Sequence, residues 1–131
     1  MKMFVCLSHT LTPEQVEDTK AIGVTEILLV SPELGKMASS IDPRASVTEV
    51  KQIGFQIAES AFYNDCEIFL CQGEPGLMMH SNLFAKKFGL HCVTSTTERA
   101  SVEEAIVNPD GTTSVIKKSI FKHVQFRDLF C

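Results

Sequence analysis

No apolar run in this sequence approaches the ~20 residues that a membrane-spanning helix requires, and no charged leader with an apolar core opens it. The expectation is a protein that neither crosses a membrane nor carries a secretory leader. Positive charge is also in short supply. The chain has 12 Lys+Arg against 16 Asp+Glu, a net −4, which argues against a surface that tracks long DNA or RNA. A small anionic ligand held in one local pocket is compatible with that balance. The five cysteines, an odd number, do not suggest a paired disulfide framework and are expected as reduced thiols in the cytoplasm. With 131 residues, 44% hydrophobic and 21% charged, the chain suffices for one core and is too short for two ordinary domains. Mean hydropathy is +0.10, so a single domain over residues 1–131 is expected.

Familiar motifs are missing as well. No G-x-G-x-x-G or Walker A sequence follows any strand candidate, which disfavours ordinary dinucleotide binding and NTP hydrolysis. A response regulator needs carboxylates at the first and third strand ends, where this chain has Ser8-His9 and Cys71-Gln72. Cys71 precedes a Gly-containing loop as a thiol-phosphatase nucleophile would, yet six positions on stands Leu77 rather than arginine. Cys66 and Cys71 make no C-x-x-C pair and the histidines are scattered, so no zinc or other metal site is expected. A reaction without metal or cofactor is the economical reading.

What is present is a regular alternation of strand and helix. Lys2 to Leu7 is an almost wholly apolar run that suits a strand buried on both faces. Thr12, Pro13 and Gln15 spell a helix N-cap, a first-turn proline and a capping box, with Leu11 and Val16 placed as a hydrophobic staple and Gly23 near the end. Glu26 to Val30 reads as a second buried strand, and residues 33–44 as a loop with room for one short helix. Ser46 and Glu49 make another capping box, and Val50, Ile53, Ile57, Ala58, Ala61 and Phe62 share one face of a helix over about 47–63. Glu67 to Cys71 is the third strand, followed by a Gly/Pro turn and a helix that stops at Gly89. His91 to Ser95 is the fourth, ending at residues 96–99. Beyond Arg99, Val102–Val107 and Thr112–Ile116 flank Asn108-Pro109-Asp110-Gly111, a hairpin signal, and residues 120–127 alternate as a further strand. The fold class expected is α/β, a Rossmann-like open, mainly parallel sheet with helices on both faces and a C-terminal β-hairpin appendage.

In such sheets ligands bind beyond the carboxyl ends of the strands, near the point where the winding reverses. The strand ends here are Ser8-His9-Thr10, Ser31-Pro32-Glu33, Gln72-Gly73-Glu74-Pro75-Gly76 and Thr94-Ser95-Thr96-Thr97, with Arg99 just beyond. Hydroxyls, amides and helix N-termini after Thr12 and Gly76 would donate hydrogen bonds to phosphate and sugar oxygens. Most of these residues have an ordinary structural use. Ser8, Thr10 and Ser95 suit turns and caps, Gly73 and Gly76 suit the turn itself, and Gln72 suits a loop tie. His80 and His91 read as structural. His9, beside the capping motif, and Arg99, one of three arginines, carry more weight, because a guanidinium is a planar anion-binding fork.

The motifs Ser8-His9-x-Leu11-Thr12, Cys71-Gln72-Gly73, Thr96-Thr97-x-Arg99 and Phe121-Lys122-His123-Val124-x-Phe126-Arg127, in that order and spacing, resemble the small standalone CRISPR-associated ring nucleases of type III systems, in the Csx group of Rossmann-type proteins. The resemblance covers nearly the whole chain. It implies binding and cleavage of a cyclic oligoadenylate second messenger, most of all the tetra-adenylate, by a homodimer that switches off the antiviral response. It makes Ser8, Thr10, Gln72, Gly73, Gly76, Thr96, Thr97 and Arg127 candidates for ligand contact, and His9, Arg99 and His123 candidates for catalysis.

The chemistry of a cyclic RNA needs no metal. A ribose 2′-OH rotated in line attacks its own 3′-phosphodiester and leaves a 2′,3′-cyclic phosphate. The protein must hold that geometry and neutralise the phosphorane, roles open to Arg99 or Arg127. The imidazole of His9 or His123 would accept or supply the proton. A ring of four identical nucleotides has a two-fold axis, which matches the commonest oligomer symmetry and would present two equivalent cuts. Two other readings stand beside this one: a sensor or sponge that binds the ring without cutting it, and a protein-interaction scaffold. Charge is unevenly spread. Residues 1–110 hold 8 Lys+Arg against 15 Asp+Glu, whereas Gly111 to Arg127 hold Lys117, Lys118, Lys122 and Arg127 and no acid, a local basic segment that suits a compact ring.

Overall fold

A computed structural model describes residues 1–131. Nine elements follow one another: β1 (Lys2–Cys6), α1 (Pro13–Ala21), β2 (Glu26–Leu29), α2 (Pro32–Ser39), α3 (Val47–Tyr63), β3 (Ile68–Cys71), α4 (Pro75–Lys87), β4 (His91–Val107) and β5 (Thr113–Asp128). The helix starts are where the cap chemistry puts them. Thr12 Oγ1 accepts the Gln15 N–H at 3.2 Å and Gln15 Oε1 accepts the Thr12 N–H at 2.9 Å, closing the capping box. Ser46 Oγ accepts the Glu49 N–H at 3.2 Å. The segment after β2, read as a loop with room for one short helix, contains α2, started by Pro32 behind the Ser31 cap.

The strand order is β2-β1-β3-β4-β5. The first four run parallel and β5 lies antiparallel to β4, so the mixed α/β expectation with a mainly parallel sheet is met. Side chains alternate across the sheet with period two. Phe4, Cys6, Phe69, Cys71 and Cys92 face Ile57, Ala58 and Ala61 of α3 and Leu77 and Ala85 of α4. Met3, Val5, Ile68, Leu70 and Val93 face the other way, with Leu11 and Val24 at the two ends of α1. Phe4 and Phe69 are neighbours in register and stack with centroids 5.5 Å apart. Fully buried, each contributes roughly 2–3 kcal/mol.

Two strands differ from the sequence reading. Glu26–Leu29, expected buried on both faces, is the sheet edge, and Leu29 is 63% exposed. The fourth strand, expected to stop by residues 96–99, runs on to Val107, because Thr96 to Arg99 contain no glycine or proline to end it. It meets β3 only over His91–Val93. From there it pairs with β5 alone, up to Val107 opposite Thr113. Beyond Thr97 this two-stranded ribbon extends roughly 35 Å from the body. Its turn is held by the Asn108 N–H on the Thr112 carbonyl at 2.8 Å and by Asp110 Oδ1, which accepts the Thr112 N–H at 2.9 Å and its hydroxyl at 2.6 Å. Those donors draw the Asp110 carboxyl below its ordinary pKa.

Candidate functional site

The strand order reverses between β1 and β3, whose chains leave the sheet in opposite senses and open a crevice beyond their carboxyl ends. A cavity of about 140 Å³ there is lined by Ser8, His9, Gln15, Gln72, Gly73, Ser95 and Thr97, with Leu7 beneath. An adjoining cavity of about 380 Å³ shares Leu7, Ser8, Gln72 and Gly73 and continues toward α2 and Glu74. Gln72 is fixed at both ends: its N–H donates to the Cys6 carbonyl at 3.1 Å and its Oε1 accepts the Ser95 N–H at 3.0 Å. The His9 ring is fixed as well. Its Nδ1 lies 2.8 Å from the Thr10 carbonyl, which only accepts, so Nδ1 carries the proton and Nε2 of the neutral ring has a free lone pair. The backbone N–H groups of Ser8, His9 and Gly73 make no hydrogen bond within the chain.

The crevice wall conceals a polar chain. The Gln15 amide donates to Ser95 Oγ at 3.1 Å, Ser95 Oγ lies 2.6 Å from His123 Nδ1, and His123 Nε2 lies 2.9 Å from Asp18 Oδ2. A carboxylate accepts, so Nε2 carries the proton and Nδ1 receives the serine hydroxyl. The His123 side chain is 4% exposed. It occupies this place because of a β-bulge. Thr96 faces Gln125 and Thr97 faces His123, leaving Val124 unpaired. Simple alternation from Phe126, whose side chain packs on the α1 face, would send residue 123 to the opposite face. The extra residue returns it, and the His123 and Phe126 rings sit 4.7 Å apart.

The candidate residues separate into groups. Ser8, His9, Gln72, Gly73 and Thr97 line the crevice together, while Thr10 contributes the carbonyl that orients His9. Arg99 stands on the same face of β4 as Ser95 and Thr97, about 7 Å further along the strand than Thr97, and forms no ion pair within the chain. His123 reaches the crevice only through Ser95. Thr96 is engaged with Gln125, accepting its N–H at 3.3 Å and donating to its carbonyl at 3.2 Å. Arg127 pairs with Thr94, one residue from Ser95 and therefore on the opposite face of the sheet.

Gly76 lies outside the crevice lining and its N–H is already taken. The Glu74 carboxylate accepts the Gly76 and Leu77 N–H groups at 3.1 and 2.8 Å, so the α4 N-terminus holds its own anion. The basic segment runs alongside acidic residues of β4. Lys122 and Lys117 lie opposite Glu98 and Glu103, and Lys118 meets Glu104 at 2.6 Å. Sequence reasoning gave Ser95 only a structural use and did not single out Gln15 or Asp18 for the site. Their spacing on α1 is visible in the sequence, but the bulge that brings His123 to them is not.

A family model described as "Uncharacterized protein MJ1673 family" matches residues 1–127. The chain is similar to "Uncharacterized protein MJ1673" of Methanocaldococcus jannaschii, 33% identical over 129 residues that cover 96% of this chain and 95% of the relative. No solved structure matches the chain.

Proposed function

This chain belongs to the MJ1673 family, and we propose that its strand-end crevice binds a cyclic oligoadenylate and cuts it without a metal. The reading takes its substrate class from the resemblance to ring nucleases. One structural observation carries it further: the crevice at the β1/β3 reversal gathers Ser8, His9, Gln72, Gly73 and Thr97, with the unpaired Arg99 on the same face of β4. The Rossmann-like reading of the fold has its support in the same place, since nucleotides lie at such reversals.

In this mechanism the unpartnered N–H groups of Ser8, His9 and Gly73 and the Gln72 amide hold the ring's backbone, so that a ribose 2′-OH is in line with its neighbouring phosphorus. His9 Nε2 takes the 2′-OH proton as the P–O2′ bond forms. The P–O5′ bond breaks, the 5′-oxygen takes a proton from water, and the His9 imidazolium returns its proton to the resulting hydroxide. Arg99, on the same face of β4 as Thr97, neutralises the phosphorane oxygens. A tetra-adenylate ring on the axis of a homodimer meets two such crevices, and two cuts give two linear dinucleotides with 2′,3′-cyclic phosphate ends.

The test is incubation with labelled cyclic tri-, tetra- and hexa-adenylate in EDTA, with products resolved by chromatography and mass in solution read by light scattering. Linear products are expected from the tetra-adenylate. His9→Ala and Arg99→Ala are each expected to slow cutting by ~10²-fold or more. An intact but bound ring would make the protein a sensor, and the absence of binding to any ring would remove the reading.

A further inference from the structure

We propose that Ser95, His123 and Asp18 form a second reaction centre, in which Ser95 is a nucleophile toward small uncharged carboxylic esters. It shares the crevice with the proposed ring site, but Ser95, His123 and Asp18 take no part in the ring-cutting steps, so either reading can fail without the other. Three residues from β4, β5 and α1, separated by 28 and 105 positions, converge as nucleophile, base and orienter. The hydrogen-bond directions are set by chemistry. Asp18 keeps the proton on Nε2, so the Nδ1 lone pair faces the Ser95 hydroxyl at 2.6 Å. The imidazole presents Nδ1 to the serine and Nε2 to the carboxylate, and either nitrogen serves as base when the other is held protonated. Burial of His123 to 4% exposure leaves Asp18 as the group that stabilises an imidazolium. Ser95, unlike His123 and Asp18, is on the lining of the crevice.

A structural tie between ribbon and body would account for His123 joined to Asp18. It does not require the third member to be a hydroxyl aligned on the free nitrogen and opening into a cavity. The cavity decides the substrate class. Its volume of about 140 Å³ admits a short acyl group, and it is lined by no Lys or Arg. An ester carbonyl needs only N–H donors for its oxyanion, and the Gln72 amide and the Gly73 N–H stand on the same lining.

The steps balance. Ser95 Oγ bonds to the carbonyl carbon as its proton passes to His123 Nδ1. The C–O bond to the alcohol breaks, and the alcohol leaves with that proton. Water then attacks the acyl-serine with Nδ1 as base, releasing a carboxylic acid and restoring the Ser95 hydroxyl.

The experiment uses the full chain with a serine-directed fluorophosphonate probe and p-nitrophenyl acetate, the adduct being located by peptide mass spectrometry. A single adduct on Ser95 is expected, together with ester hydrolysis. Ser95→Ala should abolish both, and Asp18→Asn should slow both by ~10²-fold or more, the low end of what general-base catalysis supplies. Ser101→Ala, on the ribbon, should leave both unchanged, and circular dichroism checks the fold of each variant. No adduct on wild-type Ser95, under conditions that label a known serine hydrolase completely, overturns the proposal. Labelling and hydrolysis unaltered in folded Asp18→Asn overturn it equally.

Discussion

At the scale of single residues, the buried thiols show how environment sets chemistry. Cys6, Cys66, Cys71 and Cys92 are buried, and Cys131 is exposed. Burial raises the Cys92 thiol from 9.0 to about 11 and also raises Cys66. Between Cys6 and Cys71, neighbours in register, the hydrogen bond raises the first and lowers the second, helped by Ser81. A group raised in the folded state contributes stability that is complete below its unfolded pKa and lost as pH climbs through the folded one. The urea-unfolding free energy should therefore fall as pH rises from about 9 to about 11. Cys92→Ser should flatten part of that slope, and a wild-type curve that is flat over this window would contradict the assignment. The same scale contains the most legible parts of the sequence. The Thr12/Gln15 box and the Ser46 cap depend on residues three apart, and local geometry completes them. Glu74 was less legible, because a carboxylate one residue before Pro75 reads as a loop residue until its two N–H partners are seen.

At the scale of elements, α3 and α4 cross where Gly54 meets His80 and Ser81. A Cβ on Gly54 would lie 2.9 Å from the Ser81 backbone nitrogen and 3.2 Å from His80 Cβ. Backbone cannot yield as a side-chain tip can. Gly54→Ala gains up to about 1 kcal/mol of helix propensity, but forcing the helices apart costs typically ~1–3 kcal/mol. Net destabilisation is expected in urea unfolding, and a stabilised Gly54→Ala would mean that the helices separate freely. The spacing of Ile57, Ala58 and Ala61 marked this face in the sequence, whereas the close crossing depends on partners 26 and 27 residues away. Strand ends were less visible. Residues 96–101 carry no apolar run or alternation to mark a strand, and pairing with β5 joins the fourth strand to the one read at Val102–Val107. The Val124 bulge has no local sequence signal, because an unpaired residue is defined only by register with another strand.

At the scale of the whole molecule, the structure joins a mixed α/β body to a ribbon whose strands pair with each other and little else. An isolated two-stranded ribbon is marginal in water, so its opening should cost much less than global unfolding. Hydrogen exchange read by mass spectrometry should show residues 98–107 and 113–121 exchanging far faster than Lys2–Cys6 and Ile68–Cys71; equal protection would mean that a partner covers the ribbon. The charge asymmetry also changes meaning at this scale. The cations of the C-terminal segment do not collect around the crevice, because Glu98, Glu103 and Glu104 stand opposite or against them. Arg99 remains free on the crevice side. By itself the sequence determined the starts of α1 and α3, the parallel strands and the crevice members Ser8, His9, Gln72, Gly73 and Thr97, since caps, apolar runs and strand ends are set by neighbours along the chain. Only the tertiary structure decided that Gly76 is capped by Glu74, that Arg127 faces away, and that His123 meets Ser95 and Asp18. Those outcomes depend on register and on which face a side chain takes, and one unpaired residue in β5 reverses the latter.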